Sequence, residues 1–302
     1  DFITADAGNG LWGVDALAVD ATRGKLYASS SSTTIYRGFS GDNAGKAGIF
    51  EFDLASGKVL KKYPFEAGAG THRLTALVVA SDGKVYAADA ARKQIFKLED
   101  GKLRDIVNNP KLTSFSALAV SGDGRTLYLA DYALGIFGYD LATGKAFQVA
   151  YDQSTLVLGG IVSMQWYDGT LVVVEDGMVP KRIMRLQLDK DGRKIASAMP
   201  LDVAHAEFAA LGAGAIAGDK FYTIVNRQGD VYDDHGVLTD AGKLAPTTIF
   251  RSNLRFAWGQ SGVSGGGASV IAPAKAGKHG KIDMKPGVPA PTKSEPAVPD
   301  QH

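Results

Sequence analysis

A repeated unit constrains the fold of this chain more than any other feature. Its clearest copies read FSALAVSGDGRTLYLADYALGIFGY (115–139) and LTALVVASDGKVYAADAARKQIFKL (74–98), and weaker copies begin at Val14, Ile161 and Gly212. Spacings of about 40–50 residues are typical of the four-stranded blades of a β-propeller. The sequence therefore predicts an all-β propeller.

The spacing of the repeats bears on the number of blades. Intervals of 59, 42, 44 and 50 residues separate the second-strand anchors, and the long first interval indicates an insertion in the Gly/Ser-rich segment Ser40–Gly48. Five units are visible, and ring closure removes exposed sheet edges. We favour a six-bladed plan with one degenerate or missing blade, and keep five blades as the alternative. The anchors are Leu26-Tyr27, Val85-Tyr86, Leu127-Tyr128, Leu171-Val172 and Phe221-Tyr222.

Each unit has the same internal order of strands and turns. An apolar run such as ALAVS suits a buried inner strand, and an Asp-Gly turn follows it, as at Asp82-Gly83 and Asp123-Gly124. Asp-Gly accommodates the positive φ of a tight reversal. The alternation in IFEFDL (Ile49–Leu54) predicts a further strand. The segment TTIFRS (Thr247–Ser252) either completes the fifth unit or belongs to a partial sixth.

The character of the chain changes after residue 255. Residues 256–302 are rich in Gly, Pro and Lys, and from Ala272 onward they hold too few apolar side chains to form a core by themselves. Their prolines favour extended polyproline II segments. We divide the chain into a propeller (1–255) and an extended tail (256–302). The tail either stays unfolded or is an interaction arm, and we carry the arm forward.

Composition excludes several classes of function. Lys+Arg (33) nearly balances Asp+Glu (32), so no strong attraction to nucleic acid is expected. The absence of cysteine excludes disulfides, thiolate zinc sites and thiol nucleophiles. No apolar run reaches the roughly 18 residues of a transmembrane segment. The chain begins at Asp1, as after removal of an export signal, so we expect a periplasmic or extracellular protein.

Five segments carry a resemblance to a known family: GLWGVDALAVDATRGKLYAS (10–29), FDLASGKVLKKYPF (52–65), SDGKVYAAD (81–89), GDGRTLYLADYALGIFGYDLATG (122–144) and RIMRLQLDKDG (182–192). They resemble the regucalcin/gluconolactonase propellers, also called senescence-marker-protein-like, and more closely a bacterial exported branch of that family. The resemblance covers roughly residues 10–255. Because related propellers have many functions, it bears more on fold than on activity.

The resemblance implies a divalent cation, often calcium, in the central channel, where it would polarise a lactone or ester carbonyl and activate water. In the family, its ligands are a Glu, an Asn and an Asp. Here the offsets from the anchors place Ser116 at the Asn position and Val162 at the Asp position. One carboxylate with two hydroxyls is a poor calcium site, because calcium takes about 6–8 oxygens. The predicted channel-lining residues are Asp15, Thr75, Ser116 and Asn226, with Asp15 as the candidate metal ligand.

Other carboxylates have both a chemical and a structural interpretation. Glu175-Asp176 follows an apolar strand and is our candidate for catalysis, as a carboxylate pair for acid–base chemistry or cation binding. The same pair also suits a solvated turn. Asp89 and Asp131 occupy equivalent positions after second strands, where an Asp more often accepts hydrogen bonds from a turn.

Two histidines precede inner strands. His72 and His205 could meet where loops converge on one face, and a pair of imidazoles there would bind a transition metal or transfer protons. The alternative is two unconnected loop histidines. The sequence contains no nucleophile elbow, phosphate-binding loop, dinucleotide fingerprint or haem-attachment motif.

Two functions from different classes stay open. The favoured one is a non-catalytic exported propeller, a binding or scaffold subunit that engages a protein partner through its rim or its tail, with no cofactor assigned. The missing ligand residues at Ser116 and Val162 motivate it. The alternative is a metal-dependent hydrolase of lactones or esters with a divalent cation such as calcium. Its rearranged site would use Asp15, Glu175, Asp176 or Asn226.

Overall fold

The computed structural model describes residues 2–4, 8–36, 38–66, 70–109, 111–255 and 269–271. In these residues, five four-stranded antiparallel sheets follow one another along the chain. Neighbouring strands in each sheet are also consecutive in sequence, so every sheet is a simple meander. The five inner strands surround a central channel. The fold is a five-bladed β-propeller, which confirms the all-β propeller prediction with the alternative blade count.

The blades take their strands in chain order. Blade 1 contains β1 (Gly13–Asp20), β2 (Lys25–Ser31), β3 (Ala47–Asp53) and β4 (Val59–Pro64). Blade 2 contains β5 (Leu74–Val79), β6 (Val85–Asp89), β7 (Gln94–Glu99) and β8 (Lys102–Asn108). Blade 3 contains β9 (Phe115–Val120), β10 (Thr126–Asp131), β11 (Gly135–Asp140) and β12 (Ala146–Gln148). Blade 4 contains β13 (Ile161–Tyr167), β14 (Thr170–Glu175), β15 (Arg182–Leu188) and β16 (Ile195–Val203). Blade 5 contains β17 (Gly214–Ala217), β18 (Lys220–Ile224), β19 (Ile249–Asn253) and β20 (Ser269–Ile271).

The core lies between the blades, because each sheet buries apolar side chains on both faces. Tyr27 and Ile49 on one face of blade 1, for example, pack against Leu74 and Ala87 of blade 2. Similar apolar clusters fill the interfaces between blades 2 and 3, 3 and 4, and 4 and 5. Strand residues alternate between the two faces of a sheet, so near-continuous apolar strands such as LVVV in β14 supply two interfaces at once.

The turns and connections follow the sequence closely. The Asp-Gly turns that join inner to second strands hold their glycines at positive φ, 88° at Gly83 and 70° at Gly124. The predicted insertion falls in the connection between β2 and β3. The segment TTIFRS contains most of β19, and so completes the fifth blade.

The chain beyond β19 is described only in part. The predicted propeller boundary at residue 255 falls just after β19, and β20 adds one more short strand to blade 5. The predicted tail (256–302), which is the candidate interaction arm, lies outside the described residues except for Ser269–Ile271. Helix is confined, in the described part, to two 3₁₀ turns (Gly229–Val231 and Ala241–Lys243), and no helix there is long and apolar enough to cross a bilayer.

Candidate functional site

The centre of the ring is built from a feature that recurs in four inner strands. Each of β1, β5, β9 and β13 has an irregularity at the same point of its pairing with the second strand. An extra residue at such a bulge leaves the ladder and is aimed away from it. Here the extra residues line a small central cavity of about 100 Å³. They are Asp15, Thr75, Ser116 and Val162.

Asp15 is the carboxylate among the residues that line this cavity. Its Oδ1 accepts a hydrogen bond from Arg73 Nη2 at 3.2 Å. Burial raises the pKa of Asp15, and the nearby Arg73 charge opposes that rise. The negative charge of the Asp15 carboxylate is therefore balanced by the guanidinium of Arg73. The sequence pattern did not indicate Arg73 as its partner, because Arg73 belongs to another blade.

The two channel hydroxyls are also engaged. Thr75 donates to the Phe115 carbonyl at 3.3 Å, and Ser116 donates to the Ala130 carbonyl at 3.1 Å. Among the described residues, no group of three or more His, Asp or Glu side chains could hold a metal ion. One ion-paired carboxylate, two hydroxyls and an apolar side chain at Val162 do not fit the oxygen cage that calcium prefers. The channel residues thus do not fit the cation that the family resemblance implies.

Asn226, the fourth residue predicted in the channel, is not among those lining the central cavity. Its Oδ1 accepts a hydrogen bond from Thr248 N at 2.7 Å, and its Nδ2 donates to the Pro246 carbonyl at 2.9 Å. The Asn226 side chain thus holds the loop that precedes β19 in place. The offset from the Phe221-Tyr222 anchor correctly placed Asn226 just after the second strand. It could not show that the side chain points to a loop rather than into the channel.

Asp89 and Asp131 organise loops. Asp131 accepts hydrogen bonds from the Thr113 and Ser114 amides at 2.6 and 3.0 Å, and from the Thr113 hydroxyl at 2.8 Å. Burial acts to raise the pKa of Asp131, but these bonds prevail and hold it below its usual value. Asp89 accepts from the Arg73 amide at 3.1 Å in the same way. Both carboxylates tie the segment before the inner strand to the end of the second strand.

His72 extends the Asp89 arrangement. Its Nδ1 lies 2.6 Å from Asp89 Oδ2, and its ring stacks on Phe65 with centroids 3.6 Å apart. Its buried Nε2 has no hydrogen-bond partner among the described residues. His205 lies elsewhere, packed against Phe250 in blade 5, with ring centroids 4.8 Å apart. The structure does not bring the two histidines together, since each belongs to a different blade interface.

The candidate catalytic pair, Glu175 and Asp176, is divided between two sets of partners. Glu175 is fully buried and binds Arg182, and burial raises its pKa against the pull of that guanidinium. Asp176 pairs with Lys181 at 2.8 Å and with Arg227 at 2.7 Å. Burial acts to raise the pKa of Asp176, but the hydrogen bond from Lys181 and its other partners hold it below its usual value. Each carboxylate is thus neutralised by cations, an arrangement that suits blade assembly.

Blade 5 and blade 1 meet differently from the other neighbours. An isoleucine opposite the same second-strand position recurs in the third strand of every blade. In blades 1 to 4 it faces the next blade and is almost completely buried. In blade 5 it is exposed. The exposed fractions are 0% for Ile49, 1% for Ile95, 1% for Ile136, 0% for Ile183 and 40% for Ile249.

The opposing face of blade 1 is open as well. Val14, Leu17 and Val19 on β1 are 46%, 62% and 56% exposed. By register, Val14 is equivalent to three core residues of blades 2 to 4, which are at most 2% exposed. These are Leu74, Phe115 and Ile161. The outer part of this face is covered by the N-terminal Leu11 and Trp12, and the inner strand is not.

We call this region the seam, defined by Val14, Leu17 and Val19 on one side and Tyr222, Ile224 and Ile249 on the other. None of the apolar clusters in the described residues joins blades 5 and 1. Instead a cavity of about 420 Å³ lies between them. Its lining shares Asp15, Ala16, Leu17, Ala213 and Gly214 with the channel, so the seam opens the channel sideways.

One contact bridges the seam at the level of the loops. The Thr34 hydroxyl, in the connection after β2, donates to the Asp234 carbonyl at 3.0 Å. Beside it, Gly236 adopts φ 70°, and a Cβ added there would lie 2.3 Å from the Ile35 carbonyl oxygen. In the described residues, blades 1 and 5 therefore meet at their loops by close backbone contact rather than through a shared apolar core.

Another, larger cavity of about 810 Å³ lies between blades 3 and 4, at the end of the ring that carries the turns from inner to second strands. Trp166 and Tyr128 stack there with ring centroids 5.9 Å apart, and the Tyr128 hydroxyl donates to the Gly192 carbonyl at 2.9 Å. Burial raises the pKa of Tyr128 to about 12. Asp189, one of the carboxylates that line this cavity, accepts hydrogen bonds from the Arg193 and Lys194 amides of its own turn.

Comparison with known proteins gives matches in structure alone. No family model and no curated protein matches the chain. Hydrazine synthase of Kuenenia stuttgartiensis is similar with a TM-score of 0.53 and 14% identity, over 90% of this chain and 69% of that one. A putative TolB from Agrobacterium tumefaciens has a TM-score of 0.55 and 12% identity, over 86% and 80% of the two chains. The WD40 repeats of RRP9 have a TM-score of 0.52 and 12% identity, over 82% and 62%.

These structural neighbours include TolB-like and WD40 propellers, in agreement with the fold. At such low identity, the likeness concerns architecture and not activity. The resemblance to regucalcin and gluconolactonase therefore stays a prediction from sequence segments.

Proposed function

We propose that this chain is a non-catalytic, exported propeller that acts as a binding or scaffold subunit. The observation that carries the proposal is the seam, where Val14 and Ile249 are at least 40% exposed although their equivalents at the other interfaces are at most 2% exposed. A contiguous exposed apolar surface in a soluble protein is typical of an interaction site.

The energetics favour a protein partner. Each Val, Leu or Ile side chain that becomes fully buried stabilises a contact by roughly 1.5–3 kcal/mol. Val14, Leu17, Val19 and Ile249 are all at least 40% exposed, so covering them offers a substantial gain. The seam also leads to the channel, where the Asp15–Arg73 pair could orient a polar group of the incoming segment.

The chemistry of the carboxylates supports binding over catalysis. Asp15, Glu175 and Asp176 each pair with Arg or Lys, and Asp89 and Asp131 hold loops. A general acid or base needs a reachable proton and a matched pKa, and these side chains are committed to other partners. In this proposal, the rim and the tail (256–302) extend the binding surface, and the protein works in the periplasm or outside the cell.

The first test is native mass spectrometry of protein purified from its source, with elemental analysis of the same sample. We expect a metal-free chain in a complex of defined stoichiometry. A stoichiometric divalent metal on a monomer would overturn the proposal and favour the lactone or ester hydrolase.

A second test places the partner. Leu17→Lys in the seam should abolish the complex, because a charge would have to be buried with the apolar face. Val179→Lys is the matched control, since Val179 is 96% exposed in a loop of blade 4. Loss of the complex in both variants, or in neither, contradicts a partner site at the seam.

A further inference from the structure

The end of the described chain lies at the seam. β20 is the outermost strand of blade 5 and pairs with β19, with Ile271 opposite Ile249. Ile249 lines the seam cavity. The 31 residues from 272 to 302 follow β20 in the chain, and β20 pairs with the strand that contributes Ile249 to the seam.

The length of this segment is more than sufficient. A polyproline II chain advances about 3.1 Å per residue, so 31 residues span up to about 96 Å. Neighbouring strands lie about 4.8 Å apart, so the path from β20 across the blade to β17 is about 15 Å. Even a third of the segment reaches the channel end of the seam.

The shape of the seam selects a thin occupant. A further sheet would need about 10 Å of separation from each neighbouring blade, whereas the Thr34–Asp234 contact already bridges the two blades. A cavity of about 420 Å³ instead suits a few side chains of one extended segment.

The composition of the segment matches that requirement. Six prolines lie between residues 272 and 302, five of them in PGVPAPTKSEPAVP (286–299). Proline lacks the amide hydrogen that a sheet needs, which excludes a regular blade. Proline-rich segments instead dock in apolar grooves that hold aromatic side chains. Tyr222 is such a side chain in the seam.

We propose that residues 286–299 dock into the seam of the same chain, against β1 on one side and blade 5 on the other. The tether supplies an effective concentration in the millimolar range, so a weak contact is enough to keep the seam occupied. The inference rests on the proposed binding function and adds its regulation, since a partner has to displace the segment to reach the apolar faces.

Disulfide trapping tests this directly, because the chain has no cysteine of its own. The full-length double variant Leu17→Cys with Val288→Cys is oxidised gently, and intramolecular disulfide is measured by mass spectrometry. We expect it to form roughly tenfold faster or more than in the control pair Val179→Cys with Val288→Cys. Equal rates would overturn the proposal, and so would disulfide-linked dimers through Leu17→Cys, which would assign the seam to a second copy.

A second measurement needs no cross-link. In full-length Leu17→Cys, the substitutions Val288→Asp and Val298→Asp should speed modification of the thiol by a soluble reagent severalfold, whereas Thr292→Asp should have a smaller effect. Reactivity unchanged by all three substitutions would also overturn the proposal. Because the partner test uses Leu17→Lys and complex formation, failure of tail docking would leave the binding function intact and recognisable as such.

Discussion

At the scale of single residues, identical side chains in equivalent positions have different surroundings. Ile183 and Ile249 both lie on third strands opposite the same second-strand position, yet one is fully buried and the other 40% exposed. We expect Ile183→Ala to lower the free energy of unfolding by about 2–5 kcal/mol, because it leaves a core cavity. Ile249→Ala should cost less than about 1 kcal/mol. Urea denaturation of both variants, with wild type, measures the difference, and similar losses would mean that the seam is as well packed as the other interfaces.

A buried carboxylate gives a pH-dependent prediction. Hydrogen bonds hold the pKa of Asp131 below the value of about 3.9 expected in the unfolded chain. The folded state thus binds fewer protons than the unfolded state in that range, so Asp131 stabilises the fold above about pH 4 and loses this effect as the pH falls towards its folded pKa. The free energy of unfolding of wild type should exceed that of Asp131→Asn, and this excess should decrease as the pH falls from about 5 to about 2.

Thermal unfolding at several pH values measures this advantage. Asp191→Asn, at an exposed position, is the control. A difference in stability between wild type and Asp131→Asn that is the same at all pH values would show that the charge of Asp131 does not contribute to the stability of the fold.

The candidate site was partly accessible from sequence at this scale. Offsets from the second-strand anchors identify Asp15, Thr75 and Ser116 because the bulge recurs at one place in every blade from 1 to 3. The partners of these side chains were not accessible. Arg73 is 58 residues from Asp15, and no local pattern reports a contact between blades.

At the scale of elements, apolar periodicity predicts a strand but not what covers it. β1 and β9 have similar apolar patterns, and Leu17 is equivalent to Leu118 by register. Leu118 is 4% exposed and Leu17 is 62% exposed. The sequence predicted both strands, and could not predict the seam, because burial of the second face depends on the neighbouring blade.

This difference is testable with the same substitution in two strands. Leu118→Lys should destabilise the fold by about 4 kcal/mol or more, since it buries an unpaired charge. Leu17→Lys should leave the melting temperature of the isolated chain within a few degrees of wild type. Circular dichroism melting curves measure both, and unfolding of the Leu17→Lys variant would contradict an open inner strand.

At the scale of the whole molecule, a loop contact links blades 1 and 5 at the seam. Gly236→Ala would place a Cβ 2.3 Å from the Ile35 carbonyl oxygen, whereas Gly218→Ala, at a similar positive φ, would meet nothing within 4 Å. Both variants should lose about 1–2 kcal/mol of stability, because a Cβ disfavours the left-handed backbone conformation. Only Gly236→Ala should speed amide exchange in residues 33–36, measured by hydrogen–deuterium exchange. Equal exchange in the two variants would mean that the contact does not hold the ring.

The blade count shows the same limit of sequence reasoning. Repeat units and turn residues predicted blades of consecutive strands, and the described part of the chain contains five such blades. Whether the ring would contain five or six blades depended on how the first and last blades meet. That geometry involves residues on blades 1 and 5, such as Thr34 and Asp234, which lie 200 positions apart in the chain.

The meander within every blade has a consequence for synthesis. Each of the four-stranded sheets uses only strands that follow one another in the chain. No sheet in the described residues takes a strand from the opposite terminus, so all four strands of a blade are available as soon as the last of them leaves the ribosome. A lone blade cannot bury its apolar faces, because these pack on the neighbouring blades. The ring can therefore be assembled in the order of synthesis, with each new blade completing the apolar core of the blade before it.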